Sequence, residues 1–289
     1  MTGTMTSVRS PRRISTLGYR PTPAFILAAI VFLFWVVAAV AGPWFVPHDP
    51  FAVQPQLMLE PPSREYFFGT DELGRDVFSR VLVGSRDILT VSFFAALIGT
   101  IVGTLMGLGM GYFRGVLDEG LSRIGEAVIS LPGVIMALLL IAAFGRSNTA
   151  LIGVIAFEFM WVVARTLRAA VLQESGKDYV LAARVRGDGA AFVVLRELFP
   201  NVFPIVIVEF TVRMTFAVFA VANLSFLGFG VQPPAPDWGL LVAESYGLLV
   251  SGEWWAALFP TLAIASLVIA IYVIANEANR WLSGATLPS

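Results

Sequence analysis

The sequence predicts an all-α integral membrane protein with six transmembrane helices. The 289 residues are 57% hydrophobic and only 13% charged, and the mean hydropathy is +0.80. A soluble protein of this length cannot bury so much apolar surface in one core, whereas a bilayer solvates it. The apolar residues are also gathered into six runs. About 20 such residues, rising about 1.5 Å each, cross the hydrocarbon as a helix.

The first run, residues 24–46, follows an N-terminal tail of residues 1–23 that contains four arginines. This arrangement is similar to a signal peptide. The run is nevertheless 23 residues long without a charge, and it ends at Pro47-His48-Asp49-Pro50 rather than at a small-residue cleavage site. We therefore expect a retained first transmembrane helix.

Five further helices are expected within a transmembrane domain at 88–279. Their apolar runs are 88–113, 127–145, 149–164, 202–226 and 254–276. Glu158 interrupts the fourth helix, and Glu209 and Arg213 interrupt the fifth, so we expect both helices to lie among others. A bend is expected in the third helix at Pro132.

The basic residues predict that both termini are cytosolic. With the N-terminus inside, most of the 19 Lys and Arg residues fall in cytosolic segments. The tail at 280–289 then also lies inside. The connections at 47–87 and 227–253 lie outside, and both are longer than usual, which favours a docking role over simple connection. The second connection contains Pro233-Pro234-Ala235-Pro236-Asp237-Trp238, which cannot form regular helix.

The second helix carries glycines at every fourth position: Gly99, Gly103, Gly107 and Gly111. These positions share one face, so a strip of the helix has no side chains and a neighbouring helix can approach closely. Chance spacing in a glycine-rich protein is the alternative. We interpret the strip as a packing surface.

Composition excludes several kinds of chemistry. There is no cysteine and His48 is the single histidine, so no thiolate site, disulfide or multi-histidine metal site can form from this chain. The one lysine, Lys177, follows a single glycine and does not belong to a phosphate-binding loop. We expect no bound metal or cofactor and no ATP hydrolysis by the chain itself.

Residues 172–201 form the most polar internal stretch. Asp178 begins a short helical pattern, Gly187 and Gly189 end it, and a second amphipathic helix runs from 190 towards Pro200. Small alanines on an exposed helix permit close seating in a groove of another protein. An ordinary solvated loop is the alternative.

The stretch resembles the EAA loop of binding-protein-dependent ABC importer permeases. In that loop Glu-Ala-Ala is followed by three residues, a glycine and a Leu/Ile-rich approach to proline. Here Leu181-Ala182-Ala183 precedes Gly187 and Leu198-Phe199-Pro200-Asn201, with Leu181 in place of the glutamate. The resemblance implies an ATPase-coupling loop formed by Asp178, Tyr179, Leu181, Ala182, Ala183, Arg184, Gly187 and Pro200.

Two further blocks are similar to the second permease of dipeptide, oligopeptide and nickel importers. They cover 68–80 and 224–234, and the second continues with Asp237-Trp238-Gly239. The C-terminal segment 276–281 departs from the Gly-Asp-Gly-Leu-Arg-Asp-like ending of those relatives, which weakens the transfer of a particular substrate.

This resemblance implies a type I ABC importer permease fold in a prokaryotic plasma (inner) membrane. It implies as partners a second homologous permease, two cytosolic ATPase subunits that bind ATP and Mg²⁺, and an extracytoplasmic solute-binding protein. No nucleic-acid partner is expected. Di- or oligopeptides are the default cargo, and nickel or another small solute is the alternative.

Four polar residues at membrane depth are expected near the translocation path: Glu158, Glu209, Arg213 and Asn223. Glu209 and Arg213 are four apart, the spacing of a helical ion pair, so a purely structural role is an equal alternative for them. Two other function classes are alternatives. A secondary transporter would be expected to show an internal repeat, and none is clear. A membrane-embedded enzyme would need a catalytic set that the lone His48 cannot supply.

Overall fold

The computed structural model of the chain describes residues 22–282. Helices joined by loops make up this range, which contains no strand. The predicted tails 1–23 and 280–289 lie almost wholly outside it. The helices are α1 (Pro23–Phe45), α2 (Val77–Phe113), α3 (Gly115–Ile129), α4 (Gly133–Phe144), α5 (Asn148–Glu174), α6 (Asp178–Val185), α7 (Ala190–Phe192), α8 (Phe199–Phe226), α9 (Trp238–Ser245) and α10 (Trp255–Leu282). A π-helical turn, Val193–Leu198, joins α7 to α8, so that Ala190–Phe226 is one continuous helix of 37 residues.

Five helices are long and apolar enough to cross a bilayer, and α3 with α4 forms a sixth candidate that is bent by 96°. The predicted third helix over 127–145 covers the end of α3, the break and α4, and the bend expected at Pro132 is present. Pro132 has no amide hydrogen, and its ring disfavours helical geometry at Leu131, so the helix is interrupted there. The all-α membrane fold itself is confirmed.

The bent pair runs antiparallel to α5. Three contacts mark its course, in chain order: Asp118 with Arg168, Gly125 with Trp161, and Gly133 with Glu158. These contacts follow α5 from near its C-terminal end towards its middle, and α4 then continues along the remaining turns. Both helices of the pair therefore pack against α5, despite the sharp break between them.

The second long helix begins earlier than the apolar run indicated. Asp76 caps α2 by accepting hydrogen bonds from the backbone amides of Phe78 (3.3 Å) and Ser79 (3.1 Å). The helix therefore starts at Val77, and the predicted connection 47–87 ends at Asp76. The predicted helix begins only at residue 88 because the charge-free run begins there, after the charged residues between 77 and 87.

The predicted connection 227–253 is also partly helical, because it contains α9. Trp238, the first residue of α9, is fully buried and donates from Nε1 to the Val81 carbonyl at 2.7 Å. Its ring meets that of Trp35 edge-on at 4.6 Å, and Trp35 Nε1 donates to Ser266 Oγ at 2.9 Å. A chain of indole contacts thus joins α1, α2, α9 and α10 into one core.

The four glycines of α2 lie directly against α5. A Cβ atom on any of them would fall 2.6–2.8 Å from an α5 atom, closer than side chains pack. The α5 side chains that they meet are also four residues apart: Phe159, Val163, Leu167 and Val171. Two matching strips therefore hold α2 and α5 together over three helical turns.

Candidate functional site

Helix α6 is seated on the membrane-spanning helices by one apolar face. Val180 and Ala183 are fully buried there. They belong to a cluster with residues of α2, α5 and the α7–α8 helix: Leu108, Val163, Leu167, Val171, Val193, Leu198 and Val202. The residues of α6 that pack inward are three apart, as one helix face requires. Helix α6 therefore shares one apolar cluster with residues of these three helices.

Gly187 ends α6 in a left-handed conformation with a φ of +82°. The Asp188 amide donates to the Ala183 carbonyl at 3.2 Å, and the Gly187 amide donates to the Arg184 carbonyl at 3.0 Å. This pair of bonds is the Schellman motif, in which glycine is favoured because it lacks a Cβ atom. Gly187 thus sets the path of the chain from α6 into α7.

Polar contacts fasten α6 at both ends. The Tyr179 hydroxyl donates to Glu174 Oε1 at 2.6 Å, and Lys177 Nζ lies 2.7 Å from Glu174 Oε2. Burial, together with the hydrogen bond to Glu174, raises the pKa of Tyr179 above its usual range, so this phenol stays a donor. At the other end the Arg184 guanidinium stacks over the Tyr112 ring at 4.9 Å.

The eight residues of the predicted coupling loop divide between two faces. Leu181, Ala182, Arg184 and Gly187 are exposed, as is Pro200 in the first turn of α8. Ala183 is fully buried, so the expectation that both alanines seat in a partner groove is wrong for Ala183. Asp178 is exposed in the first turn of α6, and Tyr179 is partly buried. The sequence does contain a signal for these two faces: Val180 and Ala183 are three residues apart and so lie on the same side of a helix.

Three of the four predicted path residues lie near one another. Arg213 Nε is 3.3 Å from Glu209 Oε2, and the guanidinium also lies 5.6 Å from the ring centre of Phe159, the residue that follows Glu158. The carboxylate of Glu158 abuts Gly133 at the start of α4, where the helix dipole favours negative charge. Two acids and one base therefore meet where α4, α5 and α8 come together.

Asn223 stands apart from this group. It lies ten residues beyond Arg213 on the same helix, about 15 Å at about 1.5 Å per residue, and its side-chain amide donates to the Phe219 carbonyl at 3.0 Å. A cavity of about 560 Å³ lies between the C-terminal part of α4 and the first turns of α5, and Glu158 is not among its lining residues. Its walls are mainly apolar and include Leu140, Phe144, Val154 and Phe157.

One polar cluster was not anticipated from the sequence. Asp71 accepts from Arg75 Nε at 2.7 Å, and Arg75 also reaches Glu244 Oε2 at 3.1 Å. Arg80, which is 1% exposed, lies 3.5 Å from Asp71 and donates to the Pro50 carbonyl at 3.1 Å. The cluster therefore joins the 68–80 block to α9 through Glu244. The arginines and acids of 47–87 were the available signal, but α9 could not be placed beside them.

Asp237 completes this outer region. It caps α9 by accepting a hydrogen bond from the Leu240 amide at 3.2 Å, and it is fully buried. Burial raises the pKa of this carboxyl group from 3.8 to about 6, although Ser225 and the backbone amides oppose the shift. The folded state holds the Asp237 proton more tightly than the unfolded state. The contribution of Asp237 to the free energy of unfolding therefore falls as the pH rises through that interval.

The described part of the chain is thus a bundle of long apolar helices of the length that crosses a membrane, with the short helix α6 packed on it. Residues 88–286 match the family described as binding-protein-dependent transport system inner membrane component. The chain belongs to this family, and it is a transmembrane subunit of an ABC importer. It is a multi-pass inner-membrane protein, and the resemblance inferred from the three sequence blocks is confirmed.

Curated relatives cover most of the chain. The dipeptide transport system permease protein DppC of Bacillus subtilis is 36% identical over 249 residues, covering 85% of this chain and 77% of DppC. A putative peptide transport system permease protein of Brucella suis is 33% identical over 253 residues, 88% of this chain and 85% of its own length. The glutathione transport system permease protein GsiD of Escherichia coli is 33% identical over 270 residues, 93% of this chain and 89% of GsiD.

Proposed function

We propose that the chain pairs with a second homologous permease and forms half of a translocation pathway for di- or oligopeptides. Two cytosolic ATPase subunits bind ATP and Mg²⁺, and an extracytoplasmic binding protein delivers the solute. The chain itself hydrolyses no ATP and binds no cofactor. The relatives described above are named for dipeptide, peptide and glutathione transport, which supports a peptide cargo. Nickel or another small solute is the alternative.

The docking of α6 is the observation that carries the coupling role. A helix of eight residues has little stability alone, and α6 is held by a buried apolar face and by polar contacts at both ends. Its other face remains open to a partner. The distribution of Lys and Arg supports placing this helix and both termini on the cytosolic side, where ATP is available.

The charged group at Glu158, Glu209 and Arg213 supports the course of the pathway. Charges at membrane depth are costly unless they face a water-filled cavity or another helix. Glu209 and Arg213 pair with each other on α8, and Glu158 of α5 lies against Gly133 of α4. We place the pathway along the helix surfaces that carry Glu158, Glu209 and Arg213, with Asn223 at a different depth. The alternative for Glu209 and Arg213 is an ion pair that only fixes helix packing.

Reconstitution of the complete importer in proteoliposomes tests this function. We expect ATP-dependent uptake of labelled di- and tripeptides and none of nickel, and slower uptake when the four path residues are replaced by Gln or Ala. Uptake of nickel without uptake of any peptide would show that the cargo is nickel and not a peptide. Uptake by this chain without ATPase subunits would contradict the importer mechanism. An unchanged rate in the fourfold variant, at normal expression, would remove the path assignment.

Replacing Gly187 with valine should uncouple the importer. A side chain in left-handed conformation costs about 1–2 kcal/mol, and about 1.4 kcal/mol is tenfold in an equilibrium, so we expect transport to fall by about tenfold. Gly189→Val is the matched control, because Gly189 has a φ of −64° and open space around its Cβ position. Both variants are compared for uptake and ATP hydrolysis in proteoliposomes. Equal activity of the two variants would show that this turn does not couple the subunits.

A further inference from the structure

An apolar groove separates the C-terminal part of α4 from the first turns of α5. It is the cavity of about 560 Å³ described above. Phe144 forms part of its wall and is 74% exposed, so the groove opens at the surface of the bundle. Gly153 also lines the groove, and nothing lies within 4 Å of its Cβ position, so the missing side chain leaves space there. The groove is therefore accessible to an apolar chain at membrane depth.

The lining changes from polar to apolar along the groove. Ser147 and Thr149 lie at the end beside the α4–α5 turn. Leu140, Val154 and Phe157 lie further from that turn. Phe157 is ten residues beyond Ser147, which corresponds to about 15 Å at about 1.5 Å per residue. This is half of the hydrocarbon thickness of about 30 Å, so the groove has one polar end and the depth of one leaflet.

Arg146 places a positive charge at the polar end. It lies in the turn between Phe144 and Ser147, which both line the groove. Its guanidinium is held over the Phe229 ring, 4.7 Å from the ring centre. Within residues 22–282 its N–H donors take part in no hydrogen bond or ion pair. The guanidinium is thus available for a phosphate group, whose oxygens it can bind through two parallel N–H bonds.

We propose that the α4–α5 groove binds one anionic phospholipid, with an acyl chain between the two helices and the phosphate on Arg146. The positive charge at the mouth favours an anionic headgroup over a zwitterionic one. The width of the groove favours a single chain. A volume of about 560 Å³ spread over about 15 Å leaves a passage about 6 Å across, and a helix is about 10 Å across.

Lipid binding by the purified full chain tests this site. The probes are dioleoyl phosphatidylglycerol, dioleoyl phosphatidylcholine, which has the same chains without net charge, and inorganic phosphate. Native mass spectrometry of the delipidated chain measures the binding. We expect one phosphatidylglycerol to bind about fivefold more tightly than phosphatidylcholine, the effect of about one basic residue, and no displacement by inorganic phosphate at the same concentration. Equal affinities for the two lipids, or displacement by phosphate, would overturn the inference.

Two variants separate the headgroup from the chain. Arg146→Gln should abolish the preference for phosphatidylglycerol, and Arg123→Gln is its matched control, because Arg123 is 74% exposed on α3 and outside the groove. Gly153→Leu should weaken the binding of both lipids about tenfold, because the leucine would fill the groove. Gly120→Leu is its control, since Gly120 also has open space at its Cβ position but lies on α3. Unchanged binding in either test variant would place the lipid elsewhere and contradict the proposal.

The assembled importer distinguishes a lipid from a second protein in the groove. We expect the importer to retain the same phosphatidylglycerol, and to lose it with Gly153→Leu. If the free chain binds the lipid but the importer does not, a helix of the second permease covers the groove, and the lipid site is overturned while the proposed function stands. Lipid binding by the free chain requires no ATPase subunit and no cargo, so a failure of the proposed function would leave it unaffected.

Discussion

Gly107→Leu should prevent α2 and α5 from packing. A Cβ atom at this position would lie 2.6 Å from the Leu167 Cβ and 2.8 Å from the Ala164 carbonyl oxygen. The carbonyl belongs to the backbone of α5, so the two helices would have to separate to admit a leucine. We expect a loss of about 3 kcal/mol or more in the free energy of unfolding, at the upper end of overpacking effects. Thermal unfolding of the detergent-solubilised protein measures it.

Gly109→Leu is the matched control for this variant. Gly109 lies on the same helix two residues away, and nothing is found within 4 Å of its Cβ position. Both substitutions add the same apolar side chain, so differences in helix propensity and hydrophobicity cancel. We expect Gly109→Leu to unfold at or above the wild-type temperature. Equal unfolding temperatures for the two variants would mean that the glycine strip does not face α5.

Asp71→Ala should have an effect of similar size at the outer end of the molecule. Asp71 is 5% exposed and accepts hydrogen bonds from Arg75 Nε and from the backbone amides of Leu73 and Arg75. Its removal leaves Arg75 and the buried Arg80 with Glu244 as their remaining acid. Breaking a buried pair by removing one partner costs about 3–5 kcal/mol. We expect a correspondingly lower unfolding temperature and loss of the fold around α9.

Glu126→Ala provides the comparison for Asp71. Glu126 also pairs with an arginine, at 3.4 Å from Arg123, but the two side chains are 66% and 74% exposed. Exposed pairs contribute about 0–1 kcal/mol, so this variant should unfold close to the wild-type temperature. If Asp71→Ala were equally mild, the cluster would be a surface feature and would not organise the outer region. Asp71→Asn separates the two contributions, because it keeps an acceptor for the amides but removes the charge.

Hydropathy located the membrane helices because their outer surface contacts lipid. Such a surface is far more apolar than the water-exposed surface of a soluble protein. It placed their ends poorly. Helix α2 begins at Val77, before its charge-free run, because Asp76 caps it there and helical hydrogen bonding tolerates the charged residues that follow. The glycine period of α2 identified a packing face, but the partner could not be read from one helix. That partner is α5, whose matching strip consists of larger residues and has no comparable signature.

The candidate coupling site was located by motif, and its orientation was not. Ala182 and Ala183 are neighbours in sequence, yet successive residues of a helix point about 100° apart, so one faces out and the other is buried. The outer cluster depends on contacts across more than 160 residues, such as Arg75 with Glu244. No local pattern contains that information. Pro132 predicts the position of the break between α3 and α4. The size of the bend depends on how both helices pack against α5, which the local sequence does not contain.

The close approach of α2 and α5 has a mechanical consequence. Helix α2 holds 37 residues, which corresponds to a length of about 55 Å at about 1.5 Å per residue. Because the α5 side chains pack directly onto the backbone of α2 at the four glycines, with no α2 side chain between them, we expect the pair to rotate as one rod. A rotation of about 5° about one end of such a rod carries the other end through about 5 Å. A small angular step at the α6 end of the pair thus becomes a displacement of about 5 Å at its other end.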